Sequence, residues 1–271
     1  MRFAPVFGIF SVIAFCLPAR VYSIGDVLFR PPVANPFEGR VGTMVQFGEK
    51  KLRLDVGNTI DLVTFSPADS VKCSAGADFF TFTRLRSEGN FKFPVETSDY
   101  YFGLNGAVIL SENNGWTFGG RLRYAHISSH LVDGLADSAG RFVGQLPFVY
   151  SREFFDVLAS AGHGAFRVYA GIIYVYARQP RTAEPLIPQA GFDVRHTISE
   201  SFDLLAGYDV KLIGIERIYS AMHAAQAGIL YKTSRNRGVS LNLYVFSGRS
   251  MHGMFFREHD SYISSGFQIH F

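Results

Sequence analysis

Along most of this chain apolar and polar residues take turns one by one. Successive side chains of a β-strand point to opposite faces, so the two parities can be read as two surfaces. Within 115–130 one face carries Trp116, Phe118, Gly120, Leu122 and Tyr124, and the other Thr117, Gly119, Arg121 and Arg123. Within 200–211 the faces are Phe202, Leu204, Ala206, Tyr208 and Val210 against Asp203, Leu205, Gly207, Asp209 and Lys211. Within 237–247 they are Val239, Leu241, Leu243 and Val245 against Ser240, Asn242, Tyr244 and Phe246. The segment 164–177 is the least clean, because its second face turns apolar toward Val175.

One face is steadily apolar, with aromatics near its ends. The other mixes small residues with charges of both signs. This pattern predicts an all-β fold, a membrane barrel that is apolar outward and polar inward. Twelve segments follow it, at 38–48, 51–66, 76–86, 98–112, 115–130, 149–160, 164–177, 185–197, 200–211, 219–231, 237–247 and 259–271. An even number of antiparallel strands of about 9–11 residues or more suits a bacterial single-chain barrel. Tight connections after the fourth, sixth, eighth and tenth segments alternate with longer ones after the third, fifth, seventh, ninth and eleventh. The first third departs from this rule, with a short first loop at Glu49-Lys50 and a long turn around Cys73.

Residues 1–23 read as a signal peptide. Arg2 supplies a positive charge, Phe3 to Leu17 is almost wholly apolar, and Val21-Tyr22-Ser23 fits a small-residue cleavage site. Cleavage is expected after Ser23, followed by a proline-rich periplasmic lead over 24–37 and the barrel over 38–271. The signal would remove Cys16 and leave Cys73 alone, which excludes an internal disulfide or a cysteine metal cluster. A net charge of +3 gives no reason to expect nucleic acid. No glycine-rich phosphate loop or HExxH pair occurs in the sequence. Phe271, closing an alternating strand with Ile269 and Phe267 on its face, resembles the outer-membrane assembly signal. The barrel assembly machinery and outer-membrane lipids are therefore the expected partners.

Four stretches, "LFRPPVANP", "RLRYAHISSHLVD", "VYSREFFDVLAS" and "FSGRSMHGMFFREHDSYISSGFQIHF", together resemble an uncharacterised family of bacterial outer-membrane barrels, DUF1207. The resemblance implies a barrel fold and an outer-membrane location. It brings no activity.

Candidate chemistry sits in "HISSH", residues 126–130. Rising about 2.5 Å per residue from Trp116, a tilted strand reaches the far side of the ~25 Å apolar band near His126. His126 and Ser128 share the lipid-facing parity of Leu122 and Tyr124. If the connection from Leu131 to Phe148 closes symmetrically, residue 153 lies opposite residue 126, and residue 153 is Glu. A carboxylate on the lipid side is costly and needs a reason. Ser128 as nucleophile, His126 as general base and Glu153 as the group orienting it would supply one. His126-Ile127-Ser128 is locally similar to the His-x-Ser pair of two outer-membrane lipid hydrolase families, phospholipase A and the lipid A 3-O-deacylase. That resemblance implies hydrolysis of an acyl ester in a membrane lipid.

Two other readings stand beside it. These polar residues could simply tie down a loop at the rim of a non-enzymatic barrel, either a small-solute channel or a structural protein. No cofactor is expected, except that His130, Asp133 and Asp137 could hold a divalent cation, calcium being favoured by carboxylates and disfavoured by imidazole. Arg121, Arg123, Arg152 and Asp156, with Asp193, Arg195, Asp203, Asp209 and Lys211, are expected to face the lumen. They would either fill it or line a narrow channel.

Overall fold

The alternation closes on itself. The computed structural model describes residues 27–234 and 237–271, so the signal peptide and cleavage site expected over 1–23, and Cys16, lie outside the described residues. Twelve antiparallel strands follow in chain order: β1 (Val41–Gln46), β2 (Lys51–Ala68), β3 (Val71–Arg86), β4 (Val95–Ser111), β5 (Trp116–Leu131), β6 (Tyr150–His163), β7 (Phe166–Gln179), β8 (Leu186–Thr197), β9 (Phe202–Ile215), β10 (Ile218–Lys232), β11 (Gly238–Arg249) and β12 (His259–His270). Each pairs with the next and β12 pairs with β1, so the sheet has no open edge. The expected twelve-stranded all-β barrel is the fold observed.

Connections 69–70, 112–115, 164–165, 198–201 and 233–237 gather at one end, here the turn end, and the others at the opposite, loop end. Two expected connections differ. Cys73 is not in a long turn but inside β3, which begins at Val71 after a two-residue turn. The ninth connection is not long either. It is the pair Glu216-Arg217, with φ of 52° and 67°. Two successive positive φ values make the tight hairpin turn usually written Asn-Gly. The non-glycine residues are held there from outside: Glu184 accepts the Arg217 N–H at 2.8 Å, and the Glu216 N–H reaches the Thr182 carbonyl at 2.8 Å.

The outer wall is apolar. Leu104, Leu122, Leu241 and Leu243 are more than half exposed on it, as suits a surface that meets hydrocarbon. The inner wall is charged, yet in the middle of the barrel it is closed off. Arg53, Arg123 and Lys211 are each 2% exposed or less, which a water-filled bore would not allow.

Two segments do the filling. The first is the proline-rich lead, which was expected to lie in the periplasm. From Leu28 to Arg40 it runs inside the barrel. Glu38 takes a two-pronged grip from Arg121 at 2.8 and 3.1 Å and a further bond from Arg123 at 2.8 Å. Arg121 and Arg123 also reach Asp156 and Asp78, at 3.1 and 3.2 Å. Further along, Lys211 donates to Asn35 and Arg53 to the Pro36 carbonyl, both at 2.7 Å. Gly39 passes so close to the wall that a Cβ there would sit 2.4 Å from the Phe80 ring. The physical reason for the departure is hydrogen-bond supply: the Arg121 and Arg123 forks carry more N–H donors than Asp156 and Asp78 take up, and Glu38 accepts three of their bonds.

The second is the β11–β12 connection. Met251 to Phe256 are all buried, folded inward from the loop end. Asp99 accepts from His252 Nδ1 at 2.7 Å and from the Gly253 N–H at 2.8 Å, and Ser129 accepts the Met254 N–H at 3.1 Å. The Arg84 guanidinium lies over the Phe255 ring. Phe37 of the lead packs against the same apolar cluster, so the two plugs meet inside the barrel. Asp99→Ala removes two of these three hydrogen bonds and leaves that of Ser129, costing a few kcal/mol of local stability. Tryptic cleavage of the folded barrel at Arg257 should then speed up by roughly 10²-fold, because cleavage tracks the open population. Cleavage at the unaltered rate would mean that Asp99 does not hold the loop.

Candidate active site on the outer wall

On β5, outward positions alternate with inward ones without a break past the apolar band. His126 and Ser128 lie on the outward parity, half-buried, and Ser129 is buried on the lumen side, where it caps the inward-folded loop. The register of β5 on β6 sets Glu153 directly across from His126 and Ser151 across from Ser128. His126 Nδ1 and Glu153 Oε1 are 2.6 Å apart. An ionised carboxylate only accepts, so Glu153 selects the tautomer with the proton on Nδ1 and leaves the Nε2 lone pair free. On the other side Phe102 of β4 stacks on the imidazole, with centroids 5.2 Å apart and planes 5° from parallel. The ring is thus fixed both in rotation and in tautomer. Among the described residues no hydrogen bond joins His126 to Ser128. The two stand two positions apart on one strand face, about 7 Å between backbones, and catalytic contacts of this kind are often loose without substrate.

A register shift in the β6–β7 pairing falls at the same height. Glu153 pairs with Ala177 and Phe154 with Val175, so Tyr176 is the extra residue of a bulge. Bulges of this kind re-aim a side chain, and here the Tyr176 hydroxyl meets the Tyr124 hydroxyl at 2.8 Å, one step below His126. Tyr124, Phe155 and Tyr176 form an aromatic floor on the lipid side. Above it an open recess is lined by Ser151, Glu153, Tyr176 and Arg181 among others.

The remaining expected residues are placed differently. His130 is exposed and packs edge-on to Tyr100, at 5.8 Å between ring centroids. Asp133 begins a single 3-10 turn over Asp133–Leu135. Asp137 is occupied by the backbone N–H groups of Ala139 and Arg141, at 2.8 and 3.0 Å, and by the Arg141 side chain. His130, Asp133 and Asp137 therefore do not converge, and no cluster of three metal-ligating side chains exists among the described residues. Arg152 faces inward but stands apart from the Arg121–Arg123–Asp156 network, with its guanidinium 4.8 Å from the Tyr150 ring centroid. Phe271 lies just past the last residue of β12 and is exposed.

Phe102 and Tyr176 were not foreseen, since one depends on the β4 register and the other on the bulge. Nor were Asp99 and His252. The connection that carries His252, "SMHGMFFRE", holds two Met and two Phe, an unusual composition for a solvated loop and the one signal that it is buried.

The sequence model of a family described as "Protein of unknown function (DUF1207)" matches residues 91–271. No curated protein sequence matches the chain. Among solved structures, the outer membrane phospholipase A from Escherichia coli is similar, with a TM-score of 0.57 at 13% identity over 89% of this chain and 93% of that one. The calcium-bound outer membrane phospholipase dimer from Salmonella typhi is similar, with a TM-score of 0.55 at 13% identity, again over 89% and 93%. At such identities the likeness is one of fold: this chain has the architecture of an outer-membrane barrel.

Proposed function

The chain belongs to the DUF1207 family, a membership that carries no activity, and from the geometry of its outer wall we propose that it is an interfacial hydrolase of acyl esters in lipids of the bacterial outer membrane. The turn end faces the periplasm and the loop end the exterior, which sets His126, Ser128 and Glu153 at the outer interface. The observation that carries the reading is the 2.6 Å contact of His126 Nδ1 with Glu153 on the lipid-facing side of the wall. A carboxylate and an imidazole are costly beside hydrocarbon, and a buried loop anchor would face inward, as Ser129 does.

In the proposed reaction the Ser128 Oγ attacks the ester carbonyl carbon and its proton passes to His126 Nε2. The C–O bond to the alcohol breaks, and the alcohol leaves with the proton from His126. Water then attacks the acyl-Ser128 ester, again through His126, and releases the fatty acid. Glu153 keeps the imidazole in place and stabilises the imidazolium formed in each half. The aromatic floor of Tyr124, Phe155 and Tyr176 suits acyl chains. The plugged lumen favours this reading over a small-solute channel.

The direct test is acyl release from phospholipid and from lipid A by the refolded protein and by Ser128→Ala. Release from one substrate, abolished in the variant, supports the hydrolase. No release from either, or equal release by the variant, rejects it.

A further inference from the structure

At the turn end the barrel opens into a recess of about 840 Å³, within the size range of small-ligand sites. Among the described residues six cations line it, Arg30, Arg40, Lys72, Arg167, Arg195 and Arg237, against two carboxylates, Glu38 and Asp193, with Arg40 itself paired to Asp55 of β2 at 3.5 Å. Neither carboxylate is spare. Glu38 is saturated by Arg121 and Arg123. Asp193 is held by Arg167 and accepts the Val33 N–H at 2.9 Å. Asp203, nearby on β9, is shared by Arg195 at 2.8 Å and Lys232 at 2.6 Å. Among the described residues Arg30, Lys72 and Arg237 form no ion pair.

The lead itself delivers one of these cations. Arg167 donates to the Arg30 carbonyl at 2.7 Å and more weakly to that of Pro31, which fixes the lead across the mouth. The Arg30 guanidinium then stands in the fields of Arg167 and Arg195. Like charges gathered around a cavity repel one another unless an anion joins them. Guanidinium forks fit the oxygens of a phosphate, which accepts several donors from different directions.

We infer that this recess binds a phosphate group, with Arg30 and Arg195 as its principal donors, Arg167 holding the lead that carries Arg30, and Lys72 and Arg237 at the rim. The group could belong to a phospholipid headgroup of the inner leaflet or to a small soluble phosphate ester, since both present the same oxygens. The site is at the opposite end of the barrel from His126 and Ser128 and does not depend on their chemistry.

The test uses the full-length mature chain refolded in neutral detergent, titrated calorimetrically with inorganic phosphate and glycerol 3-phosphate. In parallel, it is incorporated in phosphatidylcholine vesicles with and without phosphatidylglycerol, with heat stability as the readout. Saturable binding of the free phosphates identifies a soluble ester as the ligand. Stabilisation by phosphatidylglycerol without it identifies the headgroup. Either supports the site, provided that Arg30→Ala weakens the effect at least tenfold and Lys50→Ala, an equal charge change at the loop end on an exposed residue, leaves it unaltered. Absence of both effects, or equal weakening by the two variants, overturns the proposal.

Discussion

Replacing His126 by Ala is expected to lower acyl release by about 10³-fold or more, roughly 4 kcal/mol of transition-state stabilisation, while the barrel stays folded. His126 has no inward contact, and its partners on the wall are Glu153 and the face of Phe102. Its loss therefore removes the base without opening the lumen. The pattern across variants is more diagnostic than any one value. Groups that act as a unit are not additive, so the double variant His126→Ala/Ser128→Ala should be no slower than the slower single one. Glu153→Gln can still accept from Nδ1 but cannot stabilise the imidazolium by charge, and should lose roughly 10–10²-fold. Initial rates of fatty-acid release, beside unchanged heat-modifiability in gels, decide the matter. Retention of more than a tenth of the activity by His126→Ala would remove it from the chemistry.

The largest stability effect is expected at a residue far from that chemistry. Glu38→Ala deprives Arg121 and Arg123 of the carboxylate they share, at positions 1–4% exposed. Breaking a buried ion pair from one side costs about 3–5 kcal/mol, because the charge left behind cannot return to water. Asp156 and Asp78 remain as partial partners, which places the expectation at the lower part of that range. Urea unfolding in detergent micelles measures it. A loss below about 0.5 kcal/mol, the size of an ordinary surface change, would mean that the lead is not held by this clamp.

What could be read from the sequence was what strand periodicity dictates. The parity of β5 separated His126 and Ser128 from Ser129. The assumption of a symmetric connection placed Glu153 opposite His126, and the register does so. That worked because β5 and β6 both have an unbroken two-residue period, where a slip of one residue would turn every side chain over. The signal failed where side chains were small or where context decided. The start of β3 was hidden because Cys73, Ser74, Ala75 and Gly76 give neither face a large apolar residue. The Glu216-Arg217 turn was hidden because neither residue favours positive φ, and Glu184 and Thr182, distant in sequence, hold it. The bulge at Tyr176 leaves no mark in composition. The path of the lead was invisible for a different reason. Three prolines announce an extended chain, but nothing local says that Asn35 will meet Lys211 or that Glu38 will meet β5.

The strand that completes the cylinder is also its shortest. β1 pairs with β12 only over Val41–Gln46 and with β2 only over Gly42–Val45. Glu38 and Arg40, which reach inward to Arg121 and to the Asn35 carbonyl, come one to three positions before Val41. So little slack separates the two that the closing seam and the filled interior share one short stretch of chain: loosening the Glu38 clamp is expected to loosen the docking of β1 as well. In the folded protein one stretch of about ten residues, 32–41, is at once part of the wall's seam and part of what fills the space inside it.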